Sequence, residues 1–147
     1  MDDLSILADS PIGVAILDTA DGSRLFVNQA LVTMFGAASQ ADLIGEDITE
    51  TWVDPARLAT AWSIFQDNGI LTNFEAERRR LDGSSWWVLM HCQPIEYDGK
   101  QAGIVWHTDI TARKHAEEAQ ARSERRLSEA VENLSDGFAL FDPDDRR

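Results

Sequence analysis

Between Leu71 and Thr111 the chain carries two Asp-Gly pairs, Asp82-Gly83 and Asp98-Gly99, each flanked by strand-like runs. Asp-Gly is the strongest short-range signal for a tight hairpin turn, so this stretch predicts a three-stranded antiparallel meander. Its second strand, near Ser85–Ile95, and its third, near Gln101–Ile110, are rich in Trp, Val, Ile and Leu, which suit a pleated surface. Apolar residues fall at both parities, so both faces of these strands are expected to be covered. No meander buries two faces alone: the rest of the chain must supply the cover for one, and a helix, a neighbouring domain or a second copy for the other.

The preceding residues supply it in a definite order. Asp2–Ala8 predicts a short amphipathic turn of helix, ended by Ser10-Pro11. Gly13–Asp18 reads as a strand, Ala20–Ser23 as a turn and Arg24–Asn28 as the returning strand. From Gln29 to Phe35 the apolar spacing is helical, with Gly36 as the stop; Ser39 looks like the cap of a short helix through Leu43-Ile44, stopped by Gly45. Asp54-Pro55 opens a longer helix with Leu58, Ala61, Trp62 and Phe65 on one stripe and Gly69 at its end. The order β-β, short helices, β-β-β predicts an α+β domain over residues 1–111, one antiparallel sheet with helices across one side and a small pocket between them.

After Thr111 the pattern changes. Ala112–Leu134 has no Gly or Pro and balanced charge, which predicts one helix of about 23 residues, roughly 34 Å long. Its small or apolar positions, Ala112, Ala116, Ala119, Ser123, Leu127, Ala130 and Leu134, form a heptad seam with one four-residue stutter. This reads as a coiled-coil linker over 112–133. Beyond it, Asn133–Asp142 matches Asp9–Asp18 at an offset of 124, with Gly, Ala and Asp coinciding. Residues 134–147 are therefore expected to be the truncated first strand of a second copy.

Composition removes several function classes. The formal charge is −13, with 17 acidic and 6 basic groups in residues 1–111, so a phosphate backbone is an unfavourable partner. The basic run Arg78-Arg79-Arg80 lies in a strand, where alternate side chains face opposite ways. No apolar run approaches a membrane span, and Met-Asp-Asp-Leu lacks the positive start of a signal peptide, so a cytoplasmic location is expected. Cys92, alone, excludes an internal disulfide and a multi-cysteine metal site; His91, His107 and His115 have no zinc-ligand spacing. There is no nucleophile-base pair, no glycine-rich phosphate loop and no phosphoacceptor pattern around His115, and no enzyme activity is expected of this segment.

Taken together, Leu25–Ala30 (LFVNQA), Trp87 leading an apolar strand to Gln93-Pro94-Ile95, the Asp98-Gly99 turn and the closing Asp109–Lys114 (DITARK) resemble a PAS domain of the bacterial sensory-box type, over about residues 8–114. The resemblance implies a five-stranded sheet of order 2-1-5-4-3. It also implies a sensor or dimerisation module, a homodimer, placed ahead of an output domain such as a histidine kinase or nucleotide cyclase in the same chain. Two alternatives are a ligand-free dimerisation spacer and a sensor with non-covalent flavin or haem. The cysteine of flavin-adduct relatives corresponds here to Ile48, and the helix that bears the haem-ligating His of others, residues 54–69, has none. No cofactor is expected.

Analogy with flavin-binding relatives implies that Phe74, Ala76, Arg78, Trp86, Val88, Met90, Cys92, Val105 and His107 point inward. The pocket residues are then Phe74, Arg78, Val88, Met90, Cys92 and His107. Trp87, Leu89, Ile104 and Trp106 face outward as the dimer surface. Arg78 stands where the family commonly has an apolar residue, and a buried Arg needs a partner. Three outcomes are open: a small anionic ligand, with His107 as a second donor when protonated; a pair with Glu50 or Asp47 of the chain itself; or snorkelling of the guanidinium at the pocket rim. Asp109 is expected to accept from amides at the start of the linker helix and pair with Arg113, with Thr111 as cap, joining sheet to helix for signal relay.

Overall fold

The computed structural model describes residues 11–45 and 48–140, with side chains to residue 134. The expected helix at 2–8 lies outside them. The chain divides into two compact units, residues 1–111 and 112–147.

The first unit is built on five antiparallel strands: β1 (Gly13–Asp18), β2 (Arg24–Val27), β3 (Leu71–Arg79), β4 (Ser85–Tyr97) and β5 (Lys100–Asp109), in the spatial order β2-β1-β5-β4-β3. The β4–β5 turn is the expected two-residue hairpin: Asp98 and Gly99 take φ of 53° and 76°, with Tyr97 opposite Lys100. The β3–β4 turn is wider than the Asp82-Gly83 pair predicts. Arg80 N donates to Ser84 O at 2.7 Å, and Asp82 Oδ1 accepts from Ser84 N and Oγ, so the loop is built on the aspartate side chain.

Strand β2 stops at Val27 because Asn28 serves as the cap of α1 (Gln29–Phe35). Its Oδ1 accepts from Leu31 N at 3.1 Å and from Val14 N at 2.8 Å, and its Nδ2 donates to Ile12 O at 2.8 Å. One buried amide thus closes a helix start and the β1 edge together. Gly36, at φ 68°, ends α1 as expected. The segment after Ser39 forms only a 3-10 turn, Gln40–Asp42, in place of the expected helix through Ile44; Asp42 Oδ2 accepts from Ala38 N and Ser39 N and closes it locally. A second 3-10 turn, Ile48–Thr51, precedes α2 (Pro55–Asn68), where Asp54 Oδ1 accepts from Ala56 N and Gly69 ends the helix.

One core lies on the face that meets the helices. Leu31, Val32 and Phe35 of α1 and Leu58 and Ala61 of α2 pack there against Ala15, Phe74, Trp86, Val88 and Val105 of the sheet. Phe35 meets Trp86 edge-on at 5.3 Å. A smaller cluster, Val14, Ile16, Ala102 and Ile104, occupies the opposite face, flanked by Leu25, Phe26, Ile95, Tyr97 and Trp106. The helices cover the first face; on the second the apolar side chains of the strands pack against one another, and Trp106 stays half-buried.

In the second unit, α3 (Thr111–Leu140) runs six residues past the expected end. Residues 134–140 continue the helix, and residues 141–147, the rest of the expected truncated strand, lie outside the described residues. An isolated strand has no ladder partner for its N–H and C=O groups, whereas a helix satisfies them internally. Leu127, Val131 and Leu134 are 66%, 53% and 59% exposed on it. Among the described residues no helix is long and apolar enough to cross a membrane.

Candidate functional site

The inner face of the sheet and the helices over it leave a cavity of about 60 Å³. Leu58, Ala61, Trp62 and Phe65 of α2 form one wall, Ile48 and Trp52 another, and Ala15, Leu17, Leu71, Cys92 and Val105 the floor. Three polar side chains join this apolar lining: Arg24, Arg78 and His107, each only 3% exposed.

Arg78 sits on β3 opposite Trp86 and inside the sheet face, as its parity requires. Its Nε donates to Thr51 O at 3.1 Å and its Nη2 to Thr51 Oγ1 at 2.7 Å, while Nη1 lies 3.5 Å from Met90 Sδ. The guanidinium carbon is 4.6 Å from the Trp52 ring centroid and 5.2 Å from that of Phe35. Among the described residues no carboxylate pairs with it. Glu50 is exposed and offers only its backbone carbonyl, which takes Arg79 Nη1 at 3.3 Å; Asp47 lies outside the described residues. Burial, with the nearby Arg24 charge, pushes the Arg78 pKa well below the usual arginine range.

Arg24 was not predicted to face the cavity. It reaches Leu43 O and Thr51 Oγ1, both at 3.3 Å, and lies 5.1 Å from the Phe35 ring centroid. In the β1–β2 ladder Ile16 pairs with Phe26 but Leu17 with Arg24, so Leu25 is an extra residue. This bulge reverses the alternation and brings Arg24 to the face of Leu17, which strict two-residue periodicity would not give.

His107 Nδ1 lies 3.2 Å from Gly13 O. A carbonyl can only accept, so Nδ1 carries the proton and donates. Burial first, then the Arg78 charge, lowers the His107 pKa to about 3. Burial and the Arg78 charge thus both oppose the protonation that His107 would need to act as a second donor. Burial also pushes the Cys92 thiol up to about 12.

Of the six expected pocket residues, Arg78, Met90, Cys92 and His107 line the cavity. Phe74 and Val88 share the inward parity but sit in the packed core beside it. Arg57 covers Phe74, its guanidinium 3.8 Å from the ring centroid and tied to Glu75 O, and this helix-to-strand clamp leaves no space there.

At the end of β5, Thr111 N donates to Asp109 Oδ1 at 2.9 Å and Thr111 Oγ1 donates to the same oxygen at 2.6 Å. The Thr111 hydroxyl accepts from Trp87 N at 2.9 Å, and Ile110 N donates to Trp87 O at 3.0 Å. Asp109 and Thr111 thus meet as expected, and β4 supplies the unexpected third member. Arg113 Nε lies 3.5 Å from Glu117 Oε2. On the outer face Trp87, Leu89 and Trp106 are half-buried, while Ile104 is enclosed in its own chain's cluster.

This is a single antiparallel sheet closing on a small, mostly apolar cavity with buried cations in its wall. Residues 11–112 match the family model of the PAS domain, and the chain belongs to that family. It is 26% identical to sporulation kinase A of Bacillus subtilis (strain 168) over 137 residues, which cover 90% of this chain and 22% of the kinase. Among solved structures, it superposes on an RNA-binding light-oxygen-voltage receptor with a TM-score of 0.70 at 18% identity, over 84% of this chain and 36% of that one. A PAS domain from a two-component sensor histidine kinase gives a TM-score of 0.62 at 18% identity, over 74% and 99% of the two chains. At that identity the two superpositions establish the fold. The chain is a PAS domain related to those of histidine kinases.

Proposed function

We propose that this PAS domain is a cytoplasmic sensor that works as a dimer. In this reading a small anionic ligand occupies the cavity, and its presence is relayed through α3 to a downstream histidine kinase or nucleotide cyclase. The observation that carries the reading is Arg78: a guanidinium 3% exposed in a cavity, with no carboxylate partner among the described residues. A buried charge without a counter-charge is costly, and a bound anion would supply the missing compensation. The volume of about 60 Å³ favours a ligand of a few heavy atoms over a flavin or a haem.

A ligand-free dimerisation spacer is the competing reading, favoured by the two bonds that Thr51 already gives Arg78. A thermal-shift screen with short organic acids separates the two. The sensor reading expects a rise in the wild type that is absent in Arg78→Leu; no rise with any acid would leave the spacer.

A further inference from the structure

Resting on the anion reading of the cavity, we infer that its ligand is a short hydroxycarboxylate, with the carboxylate on Arg78 and the hydroxyl donating to Nε2 of His107. The unused hydrogen-bonding capacity of the lining carries this. A guanidinium has five N–H donors. Thr51 takes two of Arg78's in good bonds and the weakly accepting Met90 sulfur a third, so two have no acceptor among the described residues. A carboxylate fits that remainder, being bidentate, charged and planar.

His107 poses the opposite demand. With Nδ1 donating to Gly13 O, the neutral ring leaves Nε2 as an acceptor, and among the described residues nothing donates to it. The two sites are neighbours: Met90, whose sulfur faces Arg78 Nη1, is the residue opposite His107 in the β4–β5 ladder. The complementary ligand presents acceptors to one side chain and a donor to the next. An unsubstituted acid leaves Nε2 unpaired, and a keto acid sets oxygen lone pairs against it; both lose relative to a hydroxy acid.

Size and polarity narrow the class. One water needs roughly 10–15 Å³ of such space, so the cavity holds about four to six heavy atoms. Phe65, Leu58 and Leu71 offer only apolar surface to the ligand's carbon body. Three-carbon acids with one hydroxyl satisfy all of this; dicarboxylates and sugars do not.

The experiment titrates the 147-residue protein with L-lactate, D-lactate, 3-hydroxypropionate, propionate and pyruvate, reading dissociation constants from the fluorescence of Trp52 and Trp62. At least one hydroxy acid is expected to bind about tenfold tighter than propionate or pyruvate. In His107→Asn the amide can keep a donor towards Gly13 O but has nothing at the Nε2 position. That advantage should shrink to within about twofold, with propionate affinity retained. Propionate or pyruvate binding as tightly as every hydroxy acid in the wild type would overturn the hydroxyl assignment while leaving the anion reading intact. No binding of any acid, or equal binding by Arg78→Leu, would overturn the anion reading and this inference with it.

Discussion

Arg78 holds Thr51 twice, through Nε on the carbonyl at 3.1 Å and through Nη2 on the hydroxyl at 2.7 Å. The same hydroxyl accepts from Arg24 and donates to Ile48 O at 2.7 Å, so one side chain organises two buried cations and the 3-10 turn beside the cavity. Such a centre is costly to half-remove, because each lost acceptor leaves a buried N–H unmatched.

Thr51→Val is therefore expected to destabilise the fold by about 1–3 kcal/mol, although it changes almost no volume. Arg78→Leu removes the demand along with the donor and should cost less. In the double variant part of the Thr51→Val loss should be recovered, as expected for residues in one network. Urea unfolding of the four proteins measures this cycle; strictly additive losses would show that the bond from Arg78 Nη2 to the Thr51 hydroxyl contributes nothing.

Asn28 gives a second stability prediction. Replacing it with Ala removes the α1 cap and the acceptor for Val14 N, the donor of a fully buried residue. The two losses together should amount to about 3 kcal/mol. Asn28→Asp keeps the acceptor but loses the Nδ2 bond to Ile12 O and places a charge there, so it should not restore the wild-type midpoint.

Helix limits were legible in the sequence wherever one residue type decides them: Gly36 and Gly69 at positive φ, Asp54-Pro55 at the start of α2, Asp98-Gly99 in its two-residue turn. Sheet order came through the resemblance and not through periodicity. Arg24 was missed because a single extra residue, Leu25, flips the parity of the β2 end, and a bulge leaves no mark in an alternation pattern. Phe74 and Val88 were placed on the right face, but a face is not a cavity. Which inward residues are enclosed by Arg57 and which by empty space depends on how α2 crosses the sheet. The course of 134–140 turns on the same limit: those residues match β1 in pattern, yet a strand exists only where a neighbour pairs with it.

His107 makes stability depend on pH. Its folded pKa, about 3, is below the unfolded value near 6.5, so the unfolded chain binds the proton first as pH falls. The stability this neutral ring contributes is complete above about pH 6.5 and is lost as pH drops towards 3. By pH 5 the loss should be about 2 kcal/mol, and it is insensitive to the folded value provided that stays below 4. Urea midpoints at pH 7 and pH 5 test it, with His107→Asn as control. An equal fall in the variant would assign the effect to other groups.

Leu127, Val131 and Leu134 lie at four- and three-residue steps on α3 and are exposed. The proposed dimer would cover them in a two-stranded seam, with Trp87, Leu89 and Trp106 covered on the outer sheet face. Light scattering at micromolar concentration should give the mass of two chains. Leu127→Asp with Leu134→Asp should reduce it to one without changing the unfolding of the sheet. A wild type that stays monomeric when concentrated would remove dimerisation from the proposal.

The last prediction concerns the junction of β5 and α3. Asp109 Oδ1 accepts both the amide and the hydroxyl proton of Thr111, which aims the hydroxyl lone pair at Trp87 N on β4. Without Asp109 the Thr111 hydroxyl is free to rotate, and its bond to Trp87 weakens although neither residue has changed. Asp109→Ala should cost about 0.5–2 kcal/mol, the usual cost of a lost cap. Amide exchange should accelerate at Trp87 and Thr111 while the β1–β5 ladder stays protected. In a longer chain that carries the output domain, the variant should bind ligand with unchanged affinity and lose most of the response to it. An unchanged response would mean that the signal does not pass through this junction.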